Sequence, residues 1–125
     1  MAHLPKPIEQ YIAAYDAIDV DAMLVCLTDD VHFQNIAEGT INAETRGKSE
    51  FAALARAGAA AFGARRQTAT HAITVAGRTI VEIDYTATVA ADLPNGWKAG
   101  QELAFRGASY FELSDGLISR IIDES

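Results

Sequence analysis

The sequence predicts an α+β fold in which three N-terminal helices pack in a strongly curved antiparallel sheet. Apolar residues recur at helical spacing in the first half of the chain, and from Gln67 onward they alternate with a period of two. Glycine-containing turns separate the alternating segments. Helices followed by a run of strands indicate helices on one face of an antiparallel sheet. A twisted sheet wrapped over a helix forms a cone with an open mouth, and such concave sites hold small molecules.

Three helices are expected. The first spans residues 5–18 and carries an apolar stripe of three-and-four spacing: Ile8, Tyr11, Ile12, Tyr15 and Ile18. Asp19 can cap a short second helix, and Thr28-Asp29-Asp30 is expected to end it. Gly47 precedes the third helix, whose inward face is formed by Phe51, Leu54, Ala55, Gly58 and Phe62.

The strands follow from period-two alternation. A short strand is expected at 31–35, and the segment from Ile36 to Arg46 is interpreted as a loop that could contain a little strand. Four longer strands are predicted at 67–75, 78–91, 102–113 and 117–123. The intervening turns are Ala76-Gly77, Pro94-Asn95-Gly96 and Ser114-Asp115-Gly116. No repeat or linker divides the chain, so we expect a single domain over residues 1–125.

Composition limits the possible partners. The chain has 125 residues, half of them hydrophobic, which is enough to bury a core. A net charge of −7 argues against nucleic acid and against an anionic membrane surface. The single cysteine, Cys26, lies in an apolar run and is interpreted as a buried packing thiol. Without a disulfide, a leader or a membrane-length apolar run, the expected location is the cytoplasm.

Asp123 is the most informative single residue. Counting by twos along the last strand places its carboxylate on one face with Ile121 and Leu117. A carboxylate on an apolar face is costly unless it is hydrogen-bonded or neutral, and desolvation raises its pKa toward the range useful for proton transfer. The alternative is that Asp123, close to the end of the chain, is solvated at a loose terminus.

Three segments together carry a family resemblance. They are YIAAYDAIDVDAM at 11–23, LTDDVHF at 27–33 with Arg46-Gly47, and FELSDGLISRIID at 111–123. In this order they resemble the nuclear transport factor 2-like superfamily, in its SnoaL-like branch. The resemblance implies a curved sheet around a long helix, an interior pocket and a homodimer. Related pockets serve ketosteroid isomerases, polyketide cyclases, limonene-type epoxide hydrolases and proteins without catalysis.

Departures from those relatives separate the possible activities. Where ketosteroid isomerases have a general-base aspartate and a protonated aspartate, this chain has Asn35 and Ser109, although Tyr11 matches their helix tyrosine. Limonene-type epoxide hydrolases place Tyr-Gln-Asn on the first strand, where this chain has Phe33-Gln34-Asn35. They also need an Arg-x-Asp on a middle strand, and the nearest segment here is Glu82-Ile83-Asp84.

The set formed by Tyr11, Asn35 and Asp123 most resembles that of the polyketide cyclases, in which a last-strand aspartate acts as acid and base. The resemblance implies acid/base isomerisation or cyclisation of a small apolar carbonyl compound, without metal or cofactor. Water addition to an epoxide and a non-catalytic ligand-binding or dimerisation module stay open as alternatives. Residues expected to contact the substrate are Phe33, Tyr15, Phe105, Ser109, Phe111 and Ile121.

Each catalytic candidate also has a structural interpretation. Tyr11 lies on the apolar stripe of the first helix and could be a core tyrosine, and Asn35 could simply shape a turn. His71, Glu82 and Asp84 could face the pocket, solvent or a dimer interface. The histidines have no metal-ligand spacing, so zinc is not expected. Apolar residues on both sheet faces favour a homodimer through the convex face.

Overall fold

Three helices pack against a curved, unclosed sheet of six strands in the computed structural model, which describes residues 3–125. This architecture confirms the predicted α+β cone. The helices are α1 (Lys6–Asp16), α2 (Val20–Val25) and α3 (Lys48–Ala61). The strands are β1 (Leu27–Ala37), β2 (Thr40–Arg46), β3 (Phe62–Val75), β4 (Arg78–Val89), β5 (Glu102–Ser114) and β6 (Leu117–Glu124). Their order across the sheet is β2-β1-β6-β5-β4-β3.

The first two helices form because their apolar stripe and caps agree. In α1 the buried side chains are Ile8, Tyr11, Ile12 and Ala14. The helix ends two residues earlier than predicted, because Ile18 adopts a left-handed backbone with a φ of 55°. Asp19 then caps α2 as predicted, since its Oδ1 accepts a hydrogen bond from the Ala22 N–H at 3.1 Å.

The segment between α2 and α3 contains more strand than the sequence suggested. Thr28-Asp29-Asp30 does not merely end α2 but belongs to β1, which runs on to Ala37. The expected loop from Ile36 to Arg46 is also wrong, because β2 pairs antiparallel with β1 over most of it. The turn between them is Glu38-Gly39, with φ values of 52° and 77°. Two consecutive positive φ angles make a hairpin turn whose twist matches that of the strands.

Strands β3 to β6 form the predicted antiparallel meander. Their turns at Ala76-Gly77 and Asp115-Gly116 again have positive φ at both positions. β3 begins at Phe62, five residues before the predicted start at Gln67. This early start is important for the site, because it places Arg65 on the sheet.

One parallel pair completes the sheet. β1 lies beside β6 in parallel, with Phe33 opposite Ile121 and Asn35 opposite Asp123. The sequence predicted an antiparallel sheet and gave no position for the first strand. The sheet is therefore mixed, and β2 and β3 form its two edges.

A bulge in β6 changes which residues share a face with Asp123. Leu113 pairs with Ile118 and Glu112 pairs with Arg120, so Ser119 is an extra residue in the ladder. The Ser119 hydroxyl donates a hydrogen bond to the Glu112 carbonyl at 3.2 Å. The expected alternation from Asp123 through Ile121 to Leu117 is consequently wrong at its far end. Ile118 is fully buried, and Leu117 is exposed.

Helix α3 covers the concave face without filling it. Of its predicted inward residues only Phe51 is buried, with its ring 5.4 Å from that of Phe33. Leu54, Ala55 and Gly58 instead line a cavity between the helix and the sheet. Within residues 3–125, no helix combines the length and the apolarity needed to cross a membrane.

Gly107 on β5 is expected to be sensitive to substitution. A Cβ added there would lie 2.7 Å from the backbone oxygen of Glu124, so the end of β6 would have to move. We predict that Gly107→Ala lowers the free energy of unfolding by about 1–3 kcal/mol, the usual cost of overpacking. Urea unfolding measures this change. Gly63→Ala is the matched control, because a Cβ at Gly63 meets nothing within 4 Å; equal effects of the two substitutions would contradict the packing argument.

Candidate active site

A cavity of about 800 Å³ lies between the concave face of the sheet and helices α1 and α3. This volume is within the usual range for small-molecule sites, about 300–1,000 Å³. Its wall is mostly apolar and aromatic, and polar groups meet it at two separate places. The large apolar side chains on the wall are Tyr11, Met23, Phe33, Phe51, Leu54, Phe62, Ile83, Tyr85, Trp97 and Phe105.

Asp123 lies on the cavity wall near the end of β6, and Ser109 of β5 is its cross-strand partner. The Ser109 hydroxyl donates a hydrogen bond of 2.6 Å to Oδ1 of Asp123. Burial raises the pKa of the Asp123 carboxyl from its ordinary value of 3.8 to about 6, although the Ser109 hydrogen bond opposes the shift. The carboxyl is thus oriented by a fixed donor and changes its charge near neutral pH.

Asn35 lies on the other side of Asp123, because the parallel register of β1 and β6 makes the two residues neighbours. Its side chain also lines the cavity. The Asn35 Nδ2 donates a hydrogen bond to Oδ1 of Asn42 at 2.8 Å, which fixes the amide. A primary amide has two N–H donors and a carbonyl acceptor. One N–H and the carbonyl of Asn35 therefore have capacity for a ligand or a water.

Tyr11 reaches the same wall from α1 and is 4% exposed. Its ring packs edge-on against Phe111, with the ring centroids 6.0 Å apart. Burial raises the pKa of the Tyr11 hydroxyl well above its ordinary value, and the Asp123 charge raises it further. The phenol therefore keeps its proton at neutral pH and can act as a hydrogen-bond donor. The buried ring of Tyr11 fits the interpretation as a core tyrosine, and its protonated hydroxyl on the cavity wall fits the interpretation as a hydrogen-bond donor to a substrate.

The six residues expected to contact a substrate divide into two groups. Phe33, Tyr15, Phe105 and Ser109 line the cavity. Phe111 and Ile121 do not line it, so the expected substrate contact is wrong for these two residues. They are cross-strand partners two rows from Ser109 and Asp123, and both are buried in the hydrophobic core.

Sequence reasoning missed a second polar group on the wall. Arg65 and Gln67 of β3 and Tyr85 of β4 all line the cavity, and Arg65 is 6% exposed. The Tyr85 hydroxyl lies 2.9 Å from that of Tyr15. Arg65 and Gln67 share a face of β3. Counting by twos from Phe62 does not identify that face, because the register of β3 shifts between Phe62 and Ala64.

The acidic stripe of the middle strands faces away from the cavity. Glu82 is exposed and accepts hydrogen bonds from Thr70 and from His71, whose Nδ1 is 2.9 Å away. Asp84 pairs with Arg106 at 3.3 Å. The inward residues of β4 are instead Val81, Ile83 and Tyr85. Among residues 3–125, no group of three or more His, Cys, Asp or Glu comes together in a way that could hold a metal ion.

The SnoaL-like domain family matches residues 8–121 of the chain, which confirms the resemblance found in the sequence. No curated protein shows significant sequence similarity to the chain. A candidate polyketide cyclase from Silicibacter sp. TM1040 is 30% identical, with a TM-score of 0.72 over 94% of this chain and 84% of its own.

Two more distant structures share the fold. An LEH-like epoxide hydrolase from M. tuberculosis is 19% identical, with a TM-score of 0.77 over 96% of this chain and 80% of its own. A protein with a ketosteroid isomerase-like fold from Catenulispora acidiphila DSM 44928, in complex with trimethylamine, is 16% identical, with a TM-score of 0.80 over 97% of this chain and 85% of its own.

The raised pKa of Asp123 predicts a pH dependence of stability. Because the folded carboxyl binds its proton more tightly than the unfolded one, its contribution to the free energy of unfolding falls as pH rises from about 4 to about 6. Asp123→Asn has no carboxyl to titrate, so this loss is absent in the variant. As pH rises from about 4 to about 6, the free energy of unfolding of the variant should therefore increase by about 1–3 kcal/mol relative to that of the wild type. Urea unfolding at pH 4, 5, 6 and 7 measures the difference.

The control for that titration is Asp115→Asn, which removes an exposed carboxylate from the β5–β6 turn. Asn tolerates the left-handed backbone that Asp115 adopts there. Parallel pH profiles for wild type and Asp123→Asn would show that Asp123 does not titrate with a raised pKa.

Proposed function

The chain belongs to the SnoaL-like family, and we propose that it is a cofactor-independent enzyme that isomerises or cyclises a small apolar carbonyl compound. The observation that carries this proposal is the Asp123 carboxyl. It lies on an apolar cavity wall, its pKa is raised to about 6, and Ser109 and Asn35 lie on either side of it. A general acid or base works best when its pKa is close to the working pH.

The proposed reaction begins with proton removal from the carbon next to the substrate carbonyl. The Ser109 hydroxyl occupies Oδ1 of Asp123, so Oδ2 is the oxygen available to take the proton. The C–H electron pair becomes the C=C bond of an enolate, and negative charge develops on the carbonyl oxygen. This step requires ionised Asp123, and its rate should therefore rise through about pH 6.

Donors on the wall can stabilise the developing enolate. The Tyr11 phenol remains protonated at neutral pH, and Asn35 has an N–H beyond the one that Asn42 accepts. Donors that are already positioned where charge develops lower the barrier without reorganisation. The proton on Asp123 then returns to a different carbon in an isomerisation. In a cyclisation the enolate carbon attacks a second carbonyl, and the proton goes to the new alkoxide oxygen.

Water addition to an epoxide is the second candidate. The neighbouring Asn35 and Asp123 favour it, because an amide and a carboxylate can hold one water between them. The middle strand argues against it. Its inward residues Val81, Ile83 and Tyr85 supply neither an arginine nor an acid to protonate the epoxide oxygen. We therefore place the isomerase or cyclase activity first.

Loss of the Asp123 carboxylate should remove the proposed chemistry. A simple probe is 2-tetralone, an apolar ketone whose α-hydrogens exchange with D₂O. We predict that the wild-type protein accelerates this exchange and that Asp123→Asn lowers the acceleration by at least about 100-fold, the lower end for a lost general base. Proton NMR of the α-carbon signals measures the rate.

Asp115→Asn is the matched control and should exchange like the wild type, because its carboxylate is exposed at a turn. Equal rates in wild type and Asp123→Asn would remove Asp123 from the mechanism. Hydrolysis of styrene oxide without ketone exchange would favour water addition. Binding of 2-tetralone without any turnover would favour the non-catalytic module.

A homodimer through the convex face is part of the proposal. Four apolar side chains form one row across β3, β4, β5 and β6 on this face: Ile73, Ile80, Tyr110 and Ile122. Ile73 is 63% exposed and Ile80 is 51% exposed. A continuous apolar row on a sheet face is a common dimerisation surface, and a two-fold axis would bring two such rows together.

Sedimentation equilibrium at micromolar concentration should therefore give a dimer mass for the wild type. Ile80→Glu places a charge in the row and should give a monomer. Ile41→Glu is the control, because Ile41 on the edge strand β2 is similarly exposed, at 50%, and lies outside the row. A wild-type monomer, or a dimer that persists in Ile80→Glu, would contradict this interface.

A further inference from the structure

Arg65 is a buried cation that acts on a carboxyl only at longer range: its charge is one of the influences that lower the pKa of Asp16 at the end of α1. The Arg65 side chain lines the cavity and is 6% exposed. None of the ion pairs within residues 3–125 includes it. A buried charge is costly unless other groups compensate it, and most buried arginines meet a carboxylate.

Part of the compensation comes from α1. The Arg65 Nε donates a hydrogen bond of 2.8 Å to the Tyr15 carbonyl, and its guanidinium lies 3.7 Å from the centre of the Tyr15 ring. A cation is favourable at the C-terminal end of a helix. These contacts explain why the side chain lies where it does, but they use one edge and one face of a group that has five N–H donors.

The remaining guanidinium edge has no strong acceptor. Its Nη2 points at the Met23 sulfur at 3.7 Å, and a thioether is a weak acceptor. The other nitrogen, Nη1, faces Gly58, where a methyl group added to the glycine would lie 3.8 Å away. Because Arg65 and Gly58 both line the cavity, this edge is available to a ligand inside it.

Neighbouring polar groups extend the same part of the wall. The Gln67 Oε1 is buried without a hydrogen-bond partner, and the hydroxyls of Tyr15 and Tyr85 bond to each other. We call Arg65, Gln67, Tyr15 and Tyr85 the arginine end of the cavity, and Asp123, Ser109 and Asn35 the aspartate end. Arg106 also borders the cavity, but its side chain is exposed and pairs with Asp84, which faces away from the cavity.

The two ends are well separated along the sheet. Arg65 pairs with Ala87 of β4, whereas Asp123 pairs with Ser109, which pairs with Val81. These rows are six residue steps apart along β4, from Val81 to Ala87, which is about 20 Å of strand length at roughly 3.3 Å per residue. Ile83 and Tyr85 form the wall between them. The Arg65 charge lowers the pKa of the Tyr11 hydroxyl and the Asp123 charge raises it, so the charges at both ends of the cavity act on this phenol.

We propose that the arginine end binds a carboxylate at the far end of the substrate's apolar body. The inference rests on the proposed function, because it assigns the substrate class of the same cavity. The guanidinium edge is planar and matches two oxygens of one acidic group. Such binding would hold the acidic group away from Asp123 and fix which carbon of the substrate meets the base.

The test compares two ligands that share an apolar body, 2-naphthoate and 2-naphthamide, by isothermal titration calorimetry at pH 7.5. The wild-type protein should bind the naphthoate at least tenfold more tightly. Arg65→Gln removes the charge and keeps a donor for the Tyr15 carbonyl. It should abolish this preference and leave the naphthamide affinity within about threefold, since neutral contacts change little.

Arg66→Gln is the matched control, because Arg66 is the next residue of β3 and is exposed outside the cavity. It loses the same formal charge and should keep the preference. Circular dichroism checks that each variant is folded. Arg65→Lys retains a cation and should retain part of the preference for naphthoate. The comparison of the two ligands with the wild-type protein tests the proposal even if a variant fails to fold.

Equal wild-type affinities, no naphthoate binding at millimolar concentration, or a preference that survives in Arg65→Gln would each overturn the proposal. Its failure is distinguishable from failure of the proposed function. An Arg65-dependent preference with no effect of Asp123→Asn on ketone exchange leaves the anion site and removes the acid/base role. Ketone exchange that depends on Asp123, without a preference for naphthoate, leaves the acid/base role and removes the anion site.

Discussion

The parallel pairing of β1 with β6 is the constraint on which the site depends. It joins the first strand of the chain to the last and places Asn35 beside Asp123. The Ser125 N–H also donates a hydrogen bond of 3.2 Å to the Ile36 carbonyl, so the C-terminal residues are held to β1. Asp123 is therefore part of a paired strand and not of a frayed terminus. Without this pairing the aspartate would lie on an edge strand, and Asn35 would have neighbours only on β2.

Two charged groups, the buried Arg65 and the half-buried Asp123, share one apolar cavity, and the fold holds each in a different way. Asp123 receives one hydroxyl hydrogen bond, which leaves its proton affinity high. Arg65 is held by a helix carbonyl, an aromatic face and a sulfur, none of which cancels its charge. A direct ion pair between these groups would have stabilised both charges and made both unavailable. Their separation along β4 preserves two chemically different ends within one cavity.

Local sequence patterns predicted most helices and strands, and they failed where the geometry of a strand depends on the strand beside it. Alternation and the turns at Ala76-Gly77 and Asp115-Gly116 located β3 to β6 because those signals lie within a few residues. Glu38-Gly39 was missed because glutamate is an unusual residue at a left-handed turn position. The Ser119 bulge defeated counting by twos, since an extra residue is defined only against the opposite strand. The position of β1 and the inward direction of Arg65 depend on long-range pairing that spacing does not encode.

The thin packing of α3 has a consequence for the lifetime of the protein. Phe51 is its one buried side chain, and Leu54, Ala55 and Gly58 face the hollow below it. A molecule that fills the hollow supplies the contacts that this helix otherwise lacks, so occupancy and folding are linked by mass action. Local opening of α3 exposes backbone to proteases, and each opening becomes rarer as the hollow fills. Any small molecule that binds in the hollow would therefore also slow the degradation of the polypeptide.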